Sequence, residues 1–518
     1  MYSHTRNRQR WTAGLLLAGS LAWAAVALAG DAAPAYQVSS IPAEPLLIAP
    51  PQLPDLSPYT AEAAKARIVS KPTGSVVLKR MIGVDQLVEF TGGDERLREW
   101  VKRQGEMPQA IFIEGGYVTL TDLARSLPKK YFEETEPGIY IARLPIVVSR
   151  GATLHIGVET RDLRLSSERG AFLINDGKLF IMDTRLTAWS EEENQQDWFK
   201  KKGKFRPFLN AWGGTETYIV NSVVSSLGYT ASKSYGVSIS QYSPAMHPIM
   251  QREHPSGWLI DSMFDDMWYG FYCYEAYDVV LKGNTYRNNL VYGIDPHDRS
   301  RRLIIAENTA YGTREKHGII VSREVNDSWI FNNRSYENTL SGIVVDRSSV
   351  NNVVANNEVY RNGSDGITIY ESGDNLLWGN RAFNNSRHGI RVRNSANVGL
   401  YENLAVANGL LGIYGHVKDL TDTPRDLTLD PFDMNLSLTV VGGRLIGNES
   451  GAISVVSPQS VKLYGVEMLM PSQPSGIGIF GALAKEQSRI IDLLVRQKRA
   501  VQVLPLDKLA QLQVSDKQ

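Results

Sequence analysis

Gly270, Gly293, Gly318, Gly342, Gly366, Gly389 and Gly412 follow one another at intervals of 23, 25, 24, 24, 23 and 23 residues. A unit of that length is too small to bury an apolar face alone, so a chain that repeats it must stack the copies into a solenoid. A second ladder runs through Asn284, Asn308, Asn333, Asn357, Asn380 and Asn403, and most members have another asparagine five residues on, at Asn289, Asn338, Asn362, Asn385 and Asn408. Stacked amides filling tight turns account for these better than ligand binding does. Between the ladders lie runs such as "HGIIVSRE", "SGIVVDRS", "DGITIYES" and "HGIRVRNS", which alternate in polarity and are too short for helices. Each unit should therefore give about three short strands to one coil, and the stacked coils an all-β, right-handed parallel β-helix.

The repeat is clearest over 268–416, and less regular coils extend it to 141–475, from "LPIVVSRGATLHIGV" to "LSLTVVGGRLIGNESGAISVVS", with one polar interruption, "VKDLTDTPRDLTLDP". Residues 30–140 read as a Pro-rich lead-in and a small α/β N-terminal cap. The cap has a helix over 94–103, with Leu97, Trp100 and Val101 on one face, and "QAIFIEGGYVTL" as strand, glycine turn, strand and short helix. Residues 476–518 contain helical runs that should cap the far end.

The first 29 residues join a basic start, an apolar stretch and small residues at Ala27 and Ala29, the pattern of a secretory leader cleaved near Ala29. An uncleaved anchor is the other reading of that stretch, and the Ala-x-Ala site favours cleavage. An exported chain whose one cysteine, Cys273, cannot form an internal disulfide points to a bacterial periplasm. Lysine plus arginine equal aspartate plus glutamate at 55 each, so bulk charge gives no case for nucleic acid or an anionic membrane. An anionic partner has to be held by a local patch.

Alternation fixes the register. Residues one and three after each glycine (Ile319 and Val321, Ile343 and Val345, Ile367 and Ile369, Ile390 and Val392) point into the coil, and Cys273 occupies such a slot. Residues two and four after it face out, in two columns. One is Tyr272, Asp295, Ile320, Val344, Thr368 and Arg391; the other is Tyr274, His297, Ser322, Asp346, Tyr370, Arg393 and His416. With coils about 4.8 Å apart, this strip suits a linear polymer. One unit departs from the pattern: "YGIDPHDRS" puts Pro296 in an inward slot and deletes a ladder donor from a strand with neighbours on both sides. A local rule broken without structural gain marks a functional site.

Asp295 and His297 then project together, with Asp298 at the turn, Arg323 one coil on and Arg347 a further coil along. A neutral imidazole, a fixed guanidinium and an open groove suit removal of the proton α to a carboxylate. The anion resists a second negative charge, so a cation must neutralise it while a base takes the proton. His297 is the candidate base and Arg323 the neutralising group, with Asp295 and Asp298 orienting the imidazole. Arg347, Tyr292, Tyr370, Arg391, Arg393 and Lys316 are candidate substrate contacts, and water or a tyrosine such as Tyr292 is the candidate reprotonating acid. A surface histidine in a salt-bridged strip is the plain alternative; the coincidence of Pro296 with the arginines weighs against it.

His317 and His388, each just before a repeat glycine, are turn residues by register, with a role in structure or substrate contact. No second histidine shares the strip within two coils of His297 and there are no calcium-binding nonapeptide repeats, so neither a metal nor another cofactor is expected. The basic stretch "WFKKKGKFRPF" (198–208) reads as a solvated loop that could hold polyanion if it folded over the groove.

The motif "DPHD" (295–298), set in these repeats behind a leader, resembles the periplasmic mannuronan C5-epimerases of alginate-producing bacteria over nearly the whole mature chain. The resemblance implies a right-handed β-helix that converts β-D-mannuronate to α-L-guluronate within an anionic linear polysaccharide, polymannuronate or alginate, without calcium. It also implies membership of the envelope complex that polymerises and exports alginate, and by motif position it puts the base on His297 and the carboxylate-neutralising arginine on Arg323. Two alternatives stay open at the level of sequence. A polysaccharide lyase shares the proton abstraction but expels the 4-linked sugar, and a non-catalytic polysaccharide-binding scaffold would use the strip as an adhesive surface.

Overall fold

The computed structural model describes residues 35–80, 102–104, 109–230, 233–428, 430–472 and 476–506. Among these, three sheets of fifteen strands each run the length of the molecule, and each coil gives one strand to each sheet in turn. Tyr292–His297 lies in one sheet, Ile304–Ala306 in the next and Thr309–Tyr311 in the third. Equivalent strands pair in parallel and in register, so that Ile319, Ile343, Ile367, Ile390 and Ile413 form one column. The inward residues named from the repeat are fully buried in a single continuous core. Cys273 lies within that core, where burial pushes its thiol up to about 12, so it is a packing group rather than a nucleophile.

The two ladders of the repeat explain each other. Asn308 donates through Nδ2 to Asn333 Oδ1 at 3.0 Å and to the Leu281 carbonyl at 2.8 Å, and Asn333, Asn357 and Asn380 repeat the pattern. Each buried amide thus bonds both the amide of the next coil and the carbonyl of a central strand residue in the coil before. The glycines make room for the second asparagine row. A Cβ on Gly318 would lie 2.1 Å from Ser335 Oγ and 2.6 Å from Asn338 Nδ2.

The coils begin earlier than residue 141. Gln109–Glu114 and Gly116–Thr119, read from sequence as part of a separate cap, join two of the three long sheets. Leu120–Ser126 follows as a helix whose Leu120 and Leu123 close the end of the core; Thr119 and Asp122 cap it reciprocally. The helix expected over 94–103 falls, except for its last two positions, outside the described residues, as does the leader.

The Pro-rich lead-in is an ordered strap running the length of the solenoid. Tyr36–Ile41 pairs antiparallel with Ala500–Pro505 at the C-terminal end. Leu46 then packs with Tyr401 and Val441, Leu53 and Leu56 pack on the cluster of Val280, Ile304 and Phe331, and Ala64 joins Phe180 and Tyr218. Ser75–Arg80 finally pairs with Gln109–Glu114 at the N-terminal end. Ala500–Pro505 also pairs with Ser460–Tyr464. Among the described residues no helix is long and apolar enough to cross a membrane.

Candidate active site

Asp295, Pro296 and His297 end the strand Tyr292–His297, which pairs with Tyr269–Tyr274 over most of its length. Towards the next coil only Ile294 and His297 find register partners, Ile319 and Ser322. The ladder is therefore open at Asp295 and Pro296, as a proline without an N–H requires. The chain then turns through Asp298 and Arg299, both with positive φ, and the same left-handed pair recurs at Arg323–Glu324 and Arg347–Ser348. Residues other than glycine adopt this conformation at a cost, so three consecutive turns carrying charged side chains there are a strained set. The gain is that Asp298, Arg323 and Arg347 line the same cleft.

The cleft holds about 710 Å³. Its floor is the outward column Asp346, Tyr370 and Arg393, its near end is Asp298 with Arg299 and Arg323, and its outer wall is Leu420, Thr423–Asp426, Asp430 and Pro431. His297 does not itself line the cleft; it lies beside Asp298 at the near end, with Nδ1 hydrogen-bonded to Asp298 Oδ2. An Nδ1–H donated to that carboxylate leaves Nε2 as the free lone pair. Burial would lower the imidazole pKa, but the Asp298 hydrogen bond and the charges of Asp295 and Asp298 reverse this; Arg323 opposes them, and the net direction is upward. Burial would raise the Asp298 carboxyl, but His297, Arg323 and Arg299 bring it below its ordinary value.

Arg323 is the least committed arginine of the cleft. Its side chain is 44% exposed and its nearest carboxylate oxygen, Asp298 Oδ1, is 3.7 Å away. The others are held: Arg299 by Glu275 at 2.6 Å, Arg347 by Asp430 at 3.2 Å and Asp346 at 3.5 Å, and both Arg393 and Arg425 by Glu371. Five arginines face six carboxylates around the cleft, so it is a charge-balanced site with one available cation rather than a positive trough.

The column expected to carry the outer edge of the strip is covered. Asp295 is 3% exposed, and Ile320, Val344 and Thr368 are buried with it; in the other column Ser322 and His416 are buried too, and His297, Asp346, Tyr370 and Arg393 are half-buried. Asp295 Oδ1 has no hydrogen-bond partner. Burial, with Asp298 and Asp346 adding to it and His297 and Lys316 opposing, pushes this carboxyl up to about 7.

Tyr370 and Arg393 meet in the cleft, stacked at 3.8 Å. Three other predicted contacts do not line it. Arg391 is turned to His416 Nε2, 3.0 Å away, and to Asp365 at 3.6 Å. Tyr292 stacks on His317 and receives a hydrogen bond from Lys316 Nζ at 3.1 Å, on the opposite edge of the sheet. His317 and His388 accept backbone N–H bonds from Ser341 and Leu411, the structural role expected for turn residues. The basic stretch is pinned at the corner of the coil, where Arg206 is buried against Asp266 at 2.7 Å and Lys202 meets Glu315 at 2.8 Å. Among the described residues no group of three or more His, Cys, Asp or Glu side chains is arranged to hold a metal.

Sequence reasoning missed the wall. Residues 417–436 looked like an interruption, yet Arg425 and Asp430 on this loop bind into the cleft. A signal was present: Asn408 meets Asn448, 40 residues on, where the preceding rungs of both ladders are 23 to 25 apart. An insertion beside the one broken strand motif is as informative as the motif itself.

The right-handed β-helix family model matches residues 269–418, the stretch that carries this strip. The mannuronan C5-epimerase of Pseudomonas aeruginosa is 64% identical over 478 residues, covering 92% of this chain and 88% of that protein. That of Azotobacter vinelandii is 61% identical, covering 92% and 91%. The chain belongs to the mannuronan C5-epimerase family. A crystal structure of the periplasmic alginate epimerase AlgG superposes with a TM-score of 0.81 at 56% identity, covering 82% of this family member and all of that chain. The fold class read from the repeats is thereby borne out, including its hand.

Proposed function

We propose that the chain epimerises C5 of β-D-mannuronate to α-L-guluronate within polymannuronate, with His297 as base and Arg323 as the carboxylate's counterion. The carrying observation is the His297–Asp298–Arg323 arrangement at the near end of the cleft. His297 Nε2 takes the C5 proton while the C–H electron pair moves into the carboxylate, forming an enediolate-like anion. The planar Arg323 guanidinium offsets the added charge on the two oxygens. The proton returns to C5 from the other face of the ring; Tyr292 does not line the cleft, and this reading assigns the step to water. No bond of the polymer backbone breaks.

Arg347 and the stacked Tyr370–Arg393 pair provide contacts for residues beside the reacting one. Asp295, buried behind His297, acts through the imidazole. The periplasm is the compartment this reading assigns, with the leader removed near Ala29. Support comes from the solved relative, described as periplasmic, and from the basic-then-apolar start of the chain. Association with the envelope machinery that polymerises and exports the polymer belongs to the same reading and is tested by co-purification from envelopes.

The activity is tested by proton NMR of polymannuronate incubated with the protein. Guluronate signals at constant chain length are expected. Unsaturated uronate with falling chain length would make it a lyase, and unchanged polymer would leave only a scaffold.

A further inference from the structure

The wall loop 417–436 is tied to the strip by an unbroken series of ion pairs. Glu371, 2% exposed, takes Arg393 and Arg425. Arg425 reaches Asp430 through Nη2 to Oδ1 at 2.7 Å and through Nε to the Asp430 carbonyl at 2.7 Å, so its donors are spent on the protein. Asp430 Oδ2 in turn lies 3.2 Å from Arg347 Nη1. The series ends on a guanidinium that is one-third exposed in the cleft, a coil away from Arg323. At its base the loop is locked to the stack by paired bonds of 2.7 Å between Asn394 and the backbone of Lys418.

From this geometry we infer that Asp430 is a positioning residue for Arg347, and that the loop sets the preference for polymer by aiming a second guanidinium at the carboxylate of a uronate next to the reacting one. The inference rests on the polymer reading above. Arg347 stands between two carboxylates on different walls, Asp346 on the floor and Asp430 on the loop. With Asp346 alone the guanidinium would fold onto the floor, towards its own sequence neighbour. Asp430 draws it up into the cleft, and Arg425, saturated by Glu371 and Asp430, holds Asp430 in place. Successive coils are about 4.8 Å apart, so Arg323 and Arg347 are spaced to meet two carboxylates of a polymer that carries one on every residue. A neutral flanking sugar would leave Arg347 unmatched, which penalises it.

The test is a double-substitution cycle on the full chain, with polymannuronate as substrate and guluronate formation as readout. Asp430→Asn should raise KM about tenfold, the scale of one lost charge-assisted contact, leaving kcat within about twofold and the acid limb of the pH profile in place. Arg347→Ala should raise KM at least as much, and the combined variant should be no worse than Arg347→Ala. Asp430→Glu, which keeps the charge, should recover most of the loss, and a thermal melt checks that each variant is folded. An unchanged KM in a folded Asp430→Asn, or additive effects in the cycle, would overturn the positioning role. Wild-type protein that forms no guluronate would instead overturn the proposed function, so the two failures are distinct.

Discussion

Replacing Asp298 with Asn tests the base assignment where it is most exposed. His297 must be neutral to accept the C5 proton, and its pKa is raised because, against the effect of burial, the Asp298 hydrogen bond and the charges of Asp295 and Asp298 favour the imidazolium. The rate should therefore fall as pH drops through a value above the ordinary ~6.5. Asn at 298 keeps an acceptor for Nδ1–H but removes the charge. A hydrogen bond to a charged group is worth about 1.5–3 kcal/mol and a neutral one about 0.5–1.5 kcal/mol. Their midpoints differ by about 1.25 kcal/mol, which corresponds to about one pH unit. The acid limb of kcat/KM should move down by about that much, with a modest loss on the plateau. Asp298→Ala removes the acceptor, so the correct tautomer is no longer enforced and the plateau should fall by about 10²-fold. Because Asp295 is pushed up to about 7 and faces the same imidazole, the wild-type limb is a property of the pair. Asp295→Asn should also lower it. A limb that stays put or rises in Asp298→Asn, or a wild-type limb near the ~4 of a carboxylate, would refute His297 as the base.

Three further outcomes are expected. Arg323→Lys keeps the charge but loses the planar two-point grip, and kcat/KM should fall about 10²-fold by NMR assay; near-normal activity would show that charge alone is enough. Asp295 and Asp346 have folded-state values of about 7 and about 6, above those of an unfolded carboxyl. Their contribution is therefore fully present at low pH and lost as pH rises through those values, so Asp295→Asn should gain stability over wild type at pH ~8 but not at pH ~4 in melts. Asn357→Ala removes bonds of 2.8 and 2.9 Å from a fully buried rung and strands the groups of its neighbours. It should cost about 3 kcal/mol in denaturant unfolding, while a surface change such as Arg361→Ala should cost little.

The core, the register and the candidate site's central residues were legible because they obey short-range rules. The period placed Ile319 and Val321 inside, alternation placed His297 outside, and the clash of Pro296 with its strand singled out the unit that matters. What could not be read depends on segments distant in sequence lying over one another. Alternation says which way a side chain points and not whether it is open: Asp295 and Thr368 point away from the core and are still covered, Thr368 by hydrogen bonds with Ser341 and Asp365 from the adjoining turns. Arg391 looked like a substrate contact because its register is right, and its guanidinium is instead used up by His416 and Asp365. The lead-in carried no periodicity, so only its apolar residues hinted that it packs on anything, and it proves to be the strap along the solenoid.

On the proposed mechanism, the ion pair of His297 with Asp298 also bears on why the polymer should be epimerised rather than cut. After proton abstraction the enediolate can collapse in two ways. Reprotonation at C5 gives guluronate, while expulsion of the 4-linked oxygen gives an unsaturated uronate and needs a proton donor for that leaving group. The acid that the proposed abstraction leaves behind is the imidazolium of His297, but Asp298 and Asp295 stabilise its charge and Asp298 holds its Nδ1–H. A conjugate acid with a raised pKa gives its proton up reluctantly. On this reading elimination lacks a ready general acid, while reprotonation can draw on water. Asp298→Asn relaxes this restraint by acidifying the imidazolium, so it should form a small but measurable fraction of unsaturated uronate, read by ultraviolet absorbance, alongside its slower epimerisation. If the variant loses activity without any such product across the pH range, the balance between the two fates is set by the geometry of the leaving oxygen and not by the acidity of His297.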